Sequence, residues 1–232
     1  MSRSADPDPP DDQQSEAGLR ADAERNRVRI LAAARRLFAG QGLGVSMACV
    51  AREAGVGKAT LSRRFASREE LINAVFADRM DAYAAATARA LADPDPWRGF
   101  TGFIETVCAM QAADRGFADV LARSFPSAKA LEARRAEAYE GFLEIIARAQ
   151  AGGHLRDDFT AEDLVILLMA NAGVVAATTE AAPDAWRRLV GQMLRAYATP
   201  GTPLPPLTPP PSGTAVYRAM LRISRPAPGS GT

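Results

Sequence analysis

The sequence predicts an all-α fold of about nine helices divided between two domains. Between residues 21 and 198, apolar side chains recur three or four positions apart, the spacing of the buried face of an amphipathic helix. These stretches are separated by helix start and stop signals, with Ser, Thr or Asp before a helix and Gly after it. A chain of 232 residues has room for one small and one larger domain.

Composition divides the chain into four segments. Residues 1–20 are acidic, rich in Asp and Pro and poor in large apolar residues, which predicts a disordered tail. Residues 21–68 form the first predicted domain and residues 69–198 a helical bundle. Residues 199–232 are predicted to be a proline-rich extended tail, in which residues 214–224 could form one short helix.

A helix-turn-helix is predicted over residues 45–65. Ser46 is a suitable N-cap for a first helix, and Gly55 provides the flexible residue at which that helix ends. A second helix from Lys58 would place Leu61 and Phe65 on one face, because they are four residues apart. Such a second helix can enter the major groove of DNA.

Positive charge is concentrated around this motif. Residues 27–68 hold nine basic side chains and one acidic one, whereas the net charge of the whole chain is +1. This pattern is typical of a surface that binds a polyanion. The alternative is an ordinary helical hairpin with a basic, solvated face. The candidate DNA-binding residues are Ser46, Lys58, Ala59, Thr60, Ser62, Arg63, Arg64 and Arg68.

The bundle is predicted to contain six helices, over residues 67–91, 96–113, 116–123, 128–151, 161–178 and 183–198. Ser67 with Glu70, Asp95 before Pro96, and Thr160 give the clearest start signals. The helix after Thr160 is apolar on all sides, so we expect it to pack on its own core and on a second subunit.

Two groups of bundle residues are candidates for binding. The first could line an effector cavity that takes a largely apolar, uncharged ligand, or could simply fill a dry core. It consists of Tyr83, Phe103, Val107, Met110, Phe117, Leu121, Tyr139, Phe142, Ile146 and Met169. The second group is expected to form a homodimer interface and consists of Leu164, Leu168, Val175, Trp186, Leu189 and Met193.

Several chemistries are not indicated by the sequence. One histidine, His154, in a Gly-Gly-His turn, argues against a histidine-rich metal site or a catalytic triad, and we expect no cofactor and no metal. Cys49 and Cys108 fall in different predicted domains, which favours two thiols over a disulfide. Neither a run of eighteen apolar residues nor a secretory signal is present, so a cytoplasmic protein without a membrane span is expected.

The pattern of the first domain resembles the N-terminal domain of the TetR family of bacterial transcriptional regulators. The matching residues are Ile30, Leu31, Ala34, Leu37, Phe38, Gly42, Val50, Ala51, Ala54, Gly55, Val56, Thr60, Leu61, Phe65, Ser67 and Leu71. One position departs from the family pattern, because Ser62 stands where the family usually has a tyrosine that contacts a phosphate. Arg64 stands where histidine is frequent, and Arg68 at a basic, phosphate-contacting position.

The resemblance implies a homodimeric repressor that binds a palindromic DNA operator and is released by a small ligand. On that basis Lys58, Thr60 and Arg63 would face base edges. Two other readings stay open at this stage: a constitutive DNA-binding regulator without an effector, and an all-α enzyme or ligand carrier. The bundle shows no paired titratable groups on an apolar face, which argues against an enzyme.

Overall fold

The computed structural model describes residues 11–122 and 128–224. In these two segments it has ten helices and, apart from an isolated bridge between Leu155 and Ala198, no β structure. The all-α prediction is confirmed. The helices are α1 Asp11–Gln41, α2 Met47–Ala54, α3 Lys58–Arg64, α4 Arg68–Ala92, α5 Pro96–Ala113, α6 Arg115–Ala122, α7 Lys129–Ala151, α8 Ala161–Thr178, α9 Ala185–Tyr197 and α10 Gly213–Ile223.

The helix start signals act as expected. Ser46 accepts a hydrogen bond from the Cys49 amide at the start of α2, and Ser67 accepts one from the Glu70 amide at the start of α4. The Asp95 carboxylate accepts from two amides of the first turn of α5, at 3.0 and 3.2 Å. One or two of the free N–H groups of each first turn are thereby satisfied locally.

The predicted disordered tail is wrong for residues 11–20, which belong to α1, while residues 1–10 lie outside the described residues. Residues 11–18 include acidic side chains, which favour the positive end of a helix, and Gln, Glu and Ala, which have high helix propensity. Segment-wide acidity was therefore a poor indicator of disorder here.

The proline-rich segment is not a free tail. Residues 202–211 form neither helix nor strand, and they lie against the bundle: the indole N–H of Trp97 donates to the Pro203 carbonyl at 2.9 Å, and Arg188 and Arg195 donate to the carbonyls of Thr208 and Pro205. The chain then continues into α10, which packs on α8 and forms the Arg222–Glu180 ion pair at 3.0 Å. The tail boundary at residue 199 is therefore wrong as a structural division.

Aromatic side chains fill the centre of the bundle. The Phe103 and Phe142 rings stack at 5.2 Å, and the Phe100 ring meets Phe159 edge-on at 5.3 Å. Both cysteines are free thiols, with Cys108 buried and Cys49 partly exposed, so the preference for thiols is confirmed. Burial raises the pKa of Cys108 to about 12, which keeps it protonated and inert.

The N-terminal helix-turn-helix domain is joined to the bundle through α1, α4 and α6. The Phe76 ring of α4 lies between Phe38 of α1, at 6.1 Å, and Phe117 of α6, at 6.3 Å. Gly116 allows this approach, because a Cβ at that position would lie 2.9 Å from Phe38 Cβ. The Asp119 carboxylate accepts from the Leu43 amide at 2.7 Å, which ties α6 to the turn after α1.

Helix α8 is exposed where a core helix would be covered. Val165 is 43%, Ile166 62% and Met169 55% exposed. It is the one helix in the described segments that is long and apolar enough to cross a membrane, with a mean hydropathy of 1.5. A core or interface helix of a folded domain has the same length and composition, so the length and hydropathy of α8 do not identify a membrane span.

Candidate DNA-binding surface and effector cavity

The turn between α2 and α3 is fixed from behind by α1. Gly55 has φ +62°, the left-handed region that favours glycine. The Val56 amide donates to the Ala51 carbonyl at 3.0 Å, and the Arg29 guanidinium donates to the Gly55 carbonyl at 3.0 Å. A Cβ on Gly55 would lie 2.6 Å from Arg29 Nη2, the end of a flexible side chain that can move aside, so the need for glycine here comes from the backbone conformation.

Helix α3 presents polar, basic side chains outward. Leu61 and Phe65 are buried beneath it, with 2% and 1% exposure. Lys58, Ala59, Ser62, Arg63 and Arg64 are exposed, and Thr60 is half-buried. The inward and outward faces are therefore those that the sequence predicts.

Two other candidates lie at helix starts. Ser46 is exposed but uses its hydroxyl as the cap of α2, and Arg68 is half-buried at the first residue of α4. Both positions adjoin amide groups at a helix N-terminus, which favour an anion.

The positive charge of this surface is not neutralised by neighbouring carboxylates. On the far side of the domain, Arg36 pairs with Glu53 at 3.0 Å and Arg35 with Asp78 at 2.9 Å. Within the described part of the chain, the structure gives no ion pair to the basic residues of the α3 surface. These are Lys58, Arg63, Arg64 and Arg68. Hence the local excess of charge reaches solvent on the face that the helix-turn-helix presents.

A cavity of about 280 Å³ lies between α4, α6, α7 and α8. Four of the ten residues predicted for an effector site line it, namely Tyr83, Leu121, Tyr139 and Phe142. Burial raises the pKa of Tyr83 to about 12, so its hydroxyl is neutral at physiological pH and can donate or accept a hydrogen bond. Four predicted residues from α4, α6 and α7 therefore share one cavity and the other six lie elsewhere, while the binding of an effector there stays a prediction.

The remaining six effector candidates do not line this cavity. Phe103, Val107, Phe117 and Ile146 are buried in the packed core, and Met110 is half-buried. Met169 lies on the outer face of α8 and is 55% exposed. The prediction for Met169 is wrong because a helix that is apolar all round carries no pattern that says which side faces inward.

The cavity wall also contains charge, contrary to the expectation of purely apolar inward faces. Glu132 and Arg135 of α7 line it and form an ion pair at 3.4 Å. Both lie on the face that holds Tyr139, at spacings of seven and four residues. That spacing was the signal that could have identified them. Ala136, Ala161 and Val165 complete the lining that the sequence did not indicate.

Three of the proposed dimer residues are hidden within one protomer. Leu164, Leu168 and Trp186 are each 5% exposed, and the two leucines line the cavity. Within one protomer α8 contacts α5, α6 and α9, and α9 contacts α5, so these three positions are buried without a second subunit. Val175, Leu189 and Met193 are half-buried.

The described segments hold no group of three His, Cys, Asp or Glu side chains with the arrangement of a metal site. His154 is half-buried in the turn after α7, where its carbonyl accepts from the Thr199 amide.

Comparison with known proteins identifies both domains. The family model for bacterial regulatory proteins of the tetR family matches residues 30–75, and the model for the C-terminal domain of SbtR-like transcriptional regulators matches residues 95–195. No curated protein matches the chain significantly.

Solved structures of transcriptional regulators resemble the chain. A TetR regulator from Mycobacterium vanbaalenii is 30% identical, covering 78% of this chain and 99% of that chain, with a TM-score of 0.42. A TetR regulator from Streptomyces coelicolor is 27% identical, covering 75% and 99%, with a TM-score of 0.47. NalD, the secondary repressor of a multidrug efflux pump in Pseudomonas aeruginosa, is 22% identical, covering 78% and 99%, with a TM-score of 0.55.

The two family models match the helix-turn-helix domain and the bundle, and together they span more than half of the chain. Both describe transcriptional regulators and not enzymes, which confirms that part of the prediction. The chain therefore belongs to the TetR family of bacterial transcriptional regulators.

Proposed function

We propose that the protein is a cytoplasmic, homodimeric repressor that binds a palindromic operator and is released by a small, largely apolar ligand. The observation that carries the proposal is the outer face of α3, where Lys58, Arg63 and Arg64 are exposed and have no ion-pair partner among the described residues. Hydrogen-bond donors and small side chains on such a helix suit contacts with phosphates and base edges.

Within this proposal, Lys58, Thr60 and Arg63 contact base edges. Arg63 Nη2 lies 3.5 Å from Thr60 Oγ1, so the two side chains share one surface and could read adjacent bases. Ser62, Arg64 and Arg68 contact the backbone. Ser62 is exposed but short, so Arg64 beside it supplies the longer reach to a phosphate.

The proposed dimer interface is the exposed apolar face of α8 together with α9. Ile166 and Met169, more than half exposed, are its centre in place of the buried Leu164 and Leu168. Leu189 and Met193 of α9 extend it, because α9 packs beside α8. A two-fold axis there would place two α3 helices about 34–36 Å apart, one turn of DNA.

The effector is proposed to occupy the cavity lined by Tyr83 and Tyr139. Leucine, phenylalanine and alanine side chains favour an apolar body, and the two tyrosine hydroxyls offer hydrogen bonds. The Glu132–Arg135 pair adds one polar edge, so we expect a neutral ligand with a polar group at one end. Filling a space between α4, α6 and α7 would displace helices that carry the DNA-binding domain.

Selection of DNA sequences by the purified protein tests the proposal. We expect a palindrome whose half-sites are about one helical turn apart, bound by two protomers. Sedimentation of the free protein at micromolar concentration gives the second readout. Binding of DNA without sequence preference, or a compact monomer on a single half-site, would refute the homodimeric repressor.

A further inference from the structure

A second cavity, of about 410 Å³, lies where α1, α5, α6, α8 and α10 meet. It shares no lining residue with the proposed effector cavity. Its walls are mostly short side chains, which include Ala112, Ala118, Ala172 and Ala176, with Val175. An apolar body of one or two rings fits a space of this size.

A buried amide on the wall lacks a partner. Gln111 is fully buried and lines the cavity, and among the described residues its Nε2 has no hydrogen-bond acceptor. Its Oε1 is occupied, since it accepts from Asn171 Nδ2 at 2.9 Å. Asn171 Oδ1 is also unpartnered, but Asn171 does not line the cavity. The cavity wall therefore contains a buried donor that lacks an acceptor.

Among the described residues, Arg115 is the charged group of the wall without an ion-pair partner, so the wall offers a negative ligand one unpaired guanidinium. Arg115 and Arg222 each contribute a guanidinium, while Asp119 contributes the single carboxylate, which accepts from the Leu43 amide at 2.7 Å. Arg222 is held by Glu180 at 3.0 Å, which positions its guanidinium at the α10 side of the opening. Guanidinium and amide donors together are the groups that bind a carboxylate.

We propose that this cavity is a second ligand site, for a small organic carboxylate with an apolar body. The carboxylate accepts hydrogen bonds from Gln111 Nε2 and Arg115, and the body lies on the alanines of α5, α6 and α8. Arg222 brings α10 into the site, which gives this C-terminal helix a role in binding.

The position of the site indicates what occupancy would do. Asp119 is a wall residue, and its carboxylate also accepts from the Leu43 amide. Gly42, which precedes Leu43, has φ +73°, and a Cβ there would lie 2.7 Å from Asp119 Oδ2. An occupant would hold α6 against the end of α1, at the joint between the two domains. Any effect of the occupant on DNA binding rests on the proposed function, whereas binding of the carboxylate in this cavity does not.

Isothermal titration calorimetry without DNA tests the site. The probes are benzoate, 2-naphthoate and octanoate at up to millimolar concentration, with 2-naphthamide as the uncharged control. We expect at least one carboxylate to bind, and the amide to bind about tenfold more weakly or not at all.

Variants locate the binding. Arg115→Gln removes the charge at the surface of the cavity, and Ala172→Leu fills the cavity without touching a polar group; each is expected to weaken carboxylate binding about tenfold or more. Arg135→Gln in the other cavity is the matched control and should leave carboxylate binding unchanged. Circular dichroism verifies that each variant is folded.

Absence of binding by all three carboxylates would overturn the proposal. Equal binding of the carboxylate and the uncharged amide would also overturn it. So would a loss of carboxylate binding in Arg135→Gln but not in Arg115→Gln. Because no DNA is present, a failed repressor proposal would leave this result intact. A positive calorimetric result combined with unaltered operator affinity would reject only the coupling to DNA.

Discussion

Replacement of Arg68 by alanine should weaken binding to every DNA sequence by the same factor. Arg68 begins α4, directly after the Ser67 cap, and the structure gives it no carboxylate partner in the described part of the chain. Its charge is therefore available to a phosphate. Because phosphate contacts carry no direct sequence information, the loss should not alter which operator is preferred.

The size of the effect follows from counterion release. Each phosphate contact contributes about 0.9 to the slope of log K against log salt on B-DNA, so two copies of Arg68 in the proposed dimer contribute about 1.8. If variant and parent bind equally near 1 M salt, this slope makes the variant about 60-fold weaker at about 0.1 M.

Fluorescence anisotropy with labelled operator and with random duplex, over a series of salt concentrations, measures both quantities. Arg89→Ala is the matched control, since Arg89 is exposed on the same helix about 30 Å further along its axis at about 1.5 Å per residue. An unchanged slope in Arg68→Ala, or the same change in Arg89→Ala, would refute the phosphate contact.

Four further perturbations follow from the structure. Ile166→Asp should shift the protein to a monomer in sedimentation, while Leu204→Asp, exposed outside α8, should not. Gly55→Ala should lower the free energy of unfolding in urea by about 1–2 kcal/mol, because φ is positive there. Phe100→Ala, at a fully buried ring, should lower it by about 3–5 kcal/mol. If the effector uses the cavity hydroxyl, Tyr139→Phe should weaken an apolar effector about fivefold without altering operator affinity.

Local helix signals predicted the element boundaries well. Ser46, Gly55 and Asp95 determine where helices begin or end through hydrogen bonds and backbone angles formed within a few residues. Such signals need no knowledge of the rest of the chain. The outward face of α3 was also predictable, since Leu61 and Phe65 fix its rotation.

Longer-range placement was less accessible to sequence reasoning. The segment of residues 200–211 is fixed by hydrogen bonds from Trp97, Arg188 and Arg195. No local sequence pattern links these three residues to the segment. Proline content alone predicts an extended backbone but not what that backbone lies against. In α8 the apolar character on all sides left its rotation undetermined, so the exposed Ile166 and the buried Leu164 could not be distinguished.

The structure also explains how events in the bundle could reach α3. Phe76 of α4 contacts rings on α1 and α6, and the Asp119 carboxylate of α6 accepts from the Leu43 amide in the turn after α1. Gly116 makes this joint close enough that α6 cannot shift without moving α1 or breaking the ring contacts. Both cavities have walls on α6, one through Leu121 and the other through Arg115 and Asp119. The short helix α6 is therefore the element through which a ligand in either cavity could act on the DNA-binding domain.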